Sequence, residues 1–185
     1  MGVLAVEVRG SGGRLRAMTS SSMARLEAED LSFVREMLDE VAFWRTDVVR
    51  PPLAVALRDP KLAIDVQDVG RRGDDGLVAR VDGRPVGAVG VRWFNDEDHG
   101  DGSVDERTPE RSIAVTAEHR GHGIGRCPVA AMLVQLRLQG TRQVSLSVET
   151  DNPALRSYES RGFTQRPTVE GAVTRVRNLS RRPRL

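Results

Sequence analysis

Three glycines fall within five residues at Gly121, Gly123 and Gly125, between Arg120 and Arg126. The apolar run Ile113, Ala114, Val115 precedes them, and Val129, Met132, Leu133 and Leu136 follow at helical spacing. A strand, a glycine turn and a helix in that order leave unpaired backbone N–H groups and the positive end of the helix dipole over the turn. Glycine there lets an anion approach without a Cβ in the way. The stretch reads as a diphosphate cradle, with donors on Gly121, His122, Gly123, Ile124 and Gly125 and positive charge from Arg120 and Arg126. A turn with no ligand would gain nothing for the conformational entropy that three glycines lose on folding.

Two familiar phosphate loops fit badly. A P-loop needs Lys and Ser or Thr after its last glycine, whereas Arg126 and Cys127 follow Gly125. A dinucleotide fingerprint needs Gly-x-Gly-x-x-Gly directly off the strand. Here Arg126 stands where the third glycine belongs, and five residues separate Val115 from Gly121. His119, His122 and Cys127 have no supporting ligand set for a metal and no arrangement for a Cys–His pair, so no metal site is expected.

What fits is Arg-x-x-Gly-x-Gly, met by Arg120, Gly123 and Gly125, followed after one strand by Asn152-Pro153-Ala154, Tyr158-Glu159 and Gly162-Phe163. On these two segments the chain resembles the GNAT superfamily of acyl-CoA-dependent N-acetyltransferases, over about residues 24–176. The resemblance implies an α/β (α+β) fold with a mixed, splayed central sheet flanked by helices. The pantetheine arm of acetyl-CoA would lie between the splayed strands like an extra strand. Some positions depart from the pattern. Ser157 stands where an apolar Leu is common, Cys127-Pro128 replaces a small or apolar pair, and Arg111 is an unusual charge at a strand entrance.

A neutral amine attacking a thioester carbonyl develops negative charge on oxygen, which a preorganised backbone N–H stabilises at least cost. The resemblance assigns that donor and the pantetheine pairing to the strand holding Ile113, Ala114 and Val115. It assigns protonation of the departing thiolate to Tyr158, the only tyrosine. A phenol of ordinary pKa about 10 stays protonated at neutral pH and can donate. Tyr158 could also simply pack beside Leu155, and Asn152 could cap its helix, touch the cofactor, or do both. For the proton that the amine must lose, the candidates are Glu110 and Glu149, although a water chain or a substrate arriving neutral would make a base dispensable.

The elements that must position these groups follow from the patterning. Residues 24–26 can open the domain as a strand. Asp30 is a plausible N-cap for a stripe of Leu31, Val34, Met37, Leu38, Val41 and Trp44, more often core than pocket. The resemblance would put Phe43 and Trp44 on the acceptor side. Residues 53–57 and 61–69 suggest one or two short helices. Residues 77–81 and 86–94 form a hairpin around Asp82-Gly83. The acidic stretch 95–109 reads as a solvated loop, or else as an attractor for a cationic amine. Residues 111–116 are the strand before the glycine turn, Gly140 ends the next helix, and Val144, Leu146 and Val148 mark a half-buried strand. Asn152 opens a helix that Gly162 closes, and residues 163–176 form a last strand pair.

With 185 residues, one domain is expected over 23–178, after an extension at 1–22 read as disordered or as an early start, and before a basic tail at 179–185. The start lacks a basic n-region and an adequate apolar stretch, and Val6 breaks the myristoylation pattern. The net charge is +2 with a single lysine, Lys61, and no clustered basic stripe, so nucleic-acid binding is not expected. One cysteine excludes an internal disulfide and fits the cytoplasm, and no apolar run approaches a membrane span. The expected partners are acetyl-CoA and a small-molecule or peptide amine, and the sequence is compatible with a homodimer. The alternatives are a noncatalytic acyl-CoA-binding module and an arginine-mediated nucleic-acid binder.

Overall fold

The computed structural model describes residues 4–5, 20–45, 47, 49–64, 67, 73–97, 99–166 and 172–180. They form a mixed α/β fold on one sheet. Its strands are β1 (Leu4–Ala5), β2 (Ser21–Arg25), β3 (Asp75–Val81), β4 (Arg84–Arg92), β5 (Glu110–Val115), β6 (Gln143–Glu149), β7 (Thr164–Gln165) and β8 (Ala172–Asn178). Their spatial order is β1-β2-β3-β4-β5-β6-β8-β7. All neighbours are antiparallel except β5 and β6, which are parallel and share one register pair, Glu110 with Ser145. Beyond that pair the two strands diverge, so the sheet carries the splay that the resemblance implied.

Local chemistry accounts for the frame. Asp82 and Gly83 both take positive φ, 47° and 79°, which is the twist a two-residue turn needs to join β3 to β4. Helix α1 (Leu31–Ala42) lays Phe33 and Met37 over Val78, Ala88 and Ala114 on one face of the sheet. Helices α2 (Leu53–Ala56) and α3 (Pro60–Ala63) are single turns after it. On the other face, α4 (Arg126–Leu138) buries Val129, Met132, Leu133 and Leu136 against Leu77 and Val89 from one side of the splay and Val144, Leu146 and Val148 from the other. Short α5 (Leu155–Ser160) completes that layer, with Tyr158 and Phe163 in the same cluster. Gly140 and Gly162 end α4 and α5 at φ +83° and +78°. At Gly140 the next N–H, that of Thr141, reaches back to Leu136 O, and at Gly162 that of Phe163 reaches Tyr158 O, the Schellman closure.

Several expectations shift. Strand β2 begins at Ser21, and Leu4–Ala5 pairs with it at Met23 and Ser22, so four residues of the 1–22 extension belong to the sheet edge. Ser20 is also described, and the rest of that extension, most of 64–69 and most of the basic tail lie outside the described residues. Asp30 does not cap α1 with its side chain. Its buried carboxylate takes the Arg80 guanidinium and the Glu27 N–H instead. The α1 stripe ends before Trp44, because Phe43 leaves helical geometry at φ −116°, ψ 48°. Ser145, expected on a polar face of β6, is fully buried because it sits where β5 and β6 meet.

Candidate active site

At the apex of the splay, beside the Glu110–Ser145 pair, Ser145 N–H donates to Pro109 O at 3.0 Å. Along β5, Thr116 N–H donates to Val86 O of β4. By strand alternation the even-numbered residues therefore pair with β4, and Ile113 and Val115 turn their N–H and C=O toward the gap. These are the donors expected to meet a thioester oxygen and a pantetheine arm.

At the open end of the gap stands the glycine turn. Gly121 and Gly123 have φ of +77° and +79°, a conformation that side chains other than glycine rarely take. Among the described residues, no backbone acceptor takes the N–H groups of residues 121–125. Gly125 precedes the first turn of α4 with no side-chain cap, so the start of that helix is open to an anion. A Cβ on Gly125 would come 3.2 Å from Ile113 Cδ1 and 3.4 Å from Val115 Cγ2, which places the turn directly against the end of β5. Exposed donors, positive φ and proximity to the β5 edge together fit a diphosphate with its arm in the gap.

Arg120 is engaged elsewhere. Its guanidinium donates to Val115 O at 3.1 Å, Trp44 O at 3.3 Å and Glu40 O at 3.2 Å, and pairs with the Glu40 carboxylate. The charge expected at the phosphates thus ties the end of α1 to the end of β5, and Arg126, exposed on the first turn of α4, is the guanidinium left at the cradle. His122 turns its ring back to Arg120 O, at 2.9 Å. His119 Nδ1 meets Thr116 Oγ1 at 2.8 Å and Cys127 is an exposed thiol. Among the described residues no group of three or more His, Cys, Asp or Glu could hold a metal ion.

Asn152 Oδ1 accepts the Ala154 N–H at 2.9 Å, so its carboxamide closes the turn into α5, although the helix itself starts later, at Leu155. Tyr158 is half-buried, edge-on to Phe163 with ring centroids 6.0 Å apart. Above both rings lies Arg111, which sequence reasoning flagged but gave no role. Its guanidinium carbon is 4.8 Å from the Tyr158 centroid and 5.4 Å from that of Phe163. Burial pushes the Arg111 guanidinium below its ordinary pKa range; Tyr158 works against that shift and Arg161 adds to it.

The two candidate bases are not brought together. Glu110 is buried at the apex end of β5, and its Oε1 accepts the Gly102 N–H at 3.0 Å, so the 95–109 loop folds over it. It lines a cavity of about 380 Å³ between α1 and the sheet, with Met37, Leu38, Ser112 and Ala114. The α1 stripe is therefore both core and cavity wall. Glu149, at the far end of β6, is ion-paired to Arg45, which also holds Asp151 at 2.6 Å and stacks on Trp44. Trp44 and Arg45 thus join the end of α1 to the end of β6 across the mouth of the gap.

Known proteins resemble this chain in part of the sequence or in fold. A mycothiol acetyltransferase of Actinosynnema mirum is 35% identical over 92 residues, covering 49% of this chain and 29% of that protein. Another, from Thermobispora bispora, is 37% identical over 78 residues, covering 42% of this chain and 26% of that protein. The matches take in less than a third of the length of these relatives. The paiA N-acetyltransferase of Thermoplasma acidophilum, solved in complex with coenzyme A, superposes with a TM-score of 0.65 at 17% identity, over 86% of this chain and 99% of that one. An N-acetyltransferase from Staphylococcus aureus Mu50 gives 0.63 at 17% identity over the same shares, 86% and 99%. The acetyltransferase (GNAT) family profile matches residues 37–163. Glycine turn, splayed strands and tyrosine helix all fall inside that span, and the chain belongs to the GNAT family of acetyltransferases.

Proposed function

We propose that this protein transfers the acetyl group of acetyl-CoA directly to a primary amine, in a complex holding both substrates. The observation that carries this reading is the single Glu110–Ser145 pair, beyond which β5 turns unpaired N–H groups toward a gap that ends at the glycine turn. Residues 121–125 and the start of α4 would hold the diphosphate, with Arg126 adding charge, while Ile113 and Val115 would pair with the arm; Ala114, expected to join them, has its backbone turned to Ala88 of β4 instead. The Ile113 N–H would then face the carbonyl oxygen as negative charge develops on it. Nitrogen bonds to the carbonyl carbon, the carbon–sulfur bond breaks with its electron pair going to sulfur, and Tyr158 returns a proton to that sulfur.

Of the two acids, Glu110 is the better placed to take the proton from the amine. It shares with Ser112 and Ala114 the face of β5 that lines the cavity under α1, whereas Glu149 is held by Arg45. That cavity is where we place the acceptor, in an enzyme of the reducing cytoplasm. The Arg45 bridge across the mouth favours, as a second reading, a module that binds acyl-CoA without turnover. Calorimetry with coenzyme A, followed by thiol release from acetyl-CoA against an amine panel including the acceptor of the mycothiol acetyltransferases, separates the two. Turnover on any amine supports the enzyme, binding without turnover supports the module, and a folded chain that binds no coenzyme A excludes both.

A further inference from the structure

Among the described residues three arginines are buried below a tenth of their surface: Arg92, Arg111 and Arg175. Arg92 is paired to Asp74 at 2.8 Å and also donates to Ile64 O and Gln67 O, and Arg175 is paired to Glu159 at 3.0 Å. Arg111, the most buried at 3% exposure, has no hydrogen-bond acceptor of good geometry for Nε or either terminal nitrogen, and Tyr158 is the one neighbour that favours its charge. A guanidinium stays protonated in proteins, so a full charge sits out of water with two aromatic faces as its neighbours. Cation–π contact recovers only part of the lost hydration. A buried charge left without a partner marks a candidate functional group, and a negative charge arriving beside it would supply the missing partner.

Its place in the fold says from where. Arg111 is the first residue of β5 past the last paired position, at the apex of the gap, and its neighbour on α5 is Tyr158. From Val115, beside the glycine turn, back to Arg111 is about 13 Å of strand, a span suited to an extended arm whose sulfur end lies near the apex. The charged side chain that acts on it is Arg161, just past the end of α5; Arg161 in turn faces Arg177 of β8, Arg175 of β8 is paired to Glu159 of α5, and Glu110 turns to the opposite face. No carboxylate pairs with Arg111 among the described residues.

We propose that Arg111 is a positioning residue that acts through Tyr158, fixing the phenol ring and placing a permanent unsolvated positive charge behind it to stabilise the coenzyme A thiolate as it leaves. This rests on the acetyl-CoA reading above. Arg111 keeps all its protons throughout; the electron pair of the breaking carbon–sulfur bond goes to sulfur, and the proton that follows comes from Tyr158 and is restored from solvent.

The test compares the affinity of the full chain for coenzyme A and for desulfo-coenzyme A, by calorimetry from pH 6 to 10. An ordinary thiol ionises near pH 8.5, and a cation that favours the thiolate lowers that value by about one unit or more. The ratio of the two affinities then rises about tenfold or more with pH between the bound and free thiol values, and is flat above the free one. Arg111→Met flattens the ratio while desulfo-coenzyme A still binds, and Arg111→Lys retains part of the rise; a merely structural arginine would move neither. A flat ratio in the unaltered chain, or a rise that survives in Arg111→Met, overturns the proposal and leaves acetyl-CoA binding intact. If Arg111→Met and Arg111→Gln both fail to fold, the ratio in the unaltered chain decides. Failure of both ligands to bind overturns the acetyl-CoA reading and this proposal together.

Discussion

Tyr158 joins the helical layer of α4 and α5 to the sheet. Its ring packs into the cluster under α4, its edge meets Phe163, and its face carries Arg111, while its hydroxyl is the one phenol the chain has for protonating a thiolate. Tyr158→Phe keeps the first three contacts and removes the fourth. Thiol release should therefore fall by about 10²- to 10⁴-fold, while calorimetric affinity for coenzyme A stays within a few-fold and urea unfolding is little changed. A variant with full turnover would remove Tyr158 from the chemistry. At this scale the sequence was readable wherever the deciding partner is a near neighbour. Asn152 closes its own turn two residues on, and Gly140 and Gly162 take the positive φ that their helix ends require. It marked Arg111 as an unusual charge but gave no role to it, since nothing beside a strand entrance tells how many side chains will cover it.

Between elements the informative contacts are long in sequence. Arg120 reaches Glu40 across 80 residues and Arg45 reaches Glu149 across 104. The motif containing Arg120 was legible, but not the use made of its guanidinium, because two of the three carbonyls it caps, Glu40 O and Trp44 O, lie on α1 and just after it. Likewise the α1 stripe was read to Trp44, and the helix stops two residues sooner so that Trp44 and Arg45 can turn toward β6. The Arg120–Glu40 pair is testable by a double-mutant cycle. The two side chains are 32% and 16% exposed, so solvent screens the pair in part. Arg120→Gln and Glu40→Gln should each lower stability in urea, with a coupling of about 1 kcal/mol. Zero coupling would mean that Arg120 is free for the phosphates after all. Because this pair holds α1, a wall of the proposed acceptor cavity, to the end of the β5 edge, Glu40→Gln should also weaken acceptor binding more than coenzyme A binding.

For the molecule as a whole, one sheet walls both spaces that the proposed function assigns to substrates: the gap between β5 and β6, and the cavity under α1. A ligand that fills the gap supplies hydrogen bonds the protein lacks. At a hundredfold excess over its dissociation constant, coenzyme A should raise unfolding free energy by about 2.7 kcal/mol. Hydrogen exchange should slow at Ile113 and Val115, with little change in β2 and β3. Protection spread evenly over the sheet would place the ligand elsewhere. The splay has one more consequence. A ladder with a single rung between its halves behaves as two panels on a common spine, and the spine is α4, whose apolar side rests on both. Trimming Met132 or Leu136, well away from the glycine turn, would let the panels settle closer together and so alter how tightly a guest is clasped without touching any group that meets it.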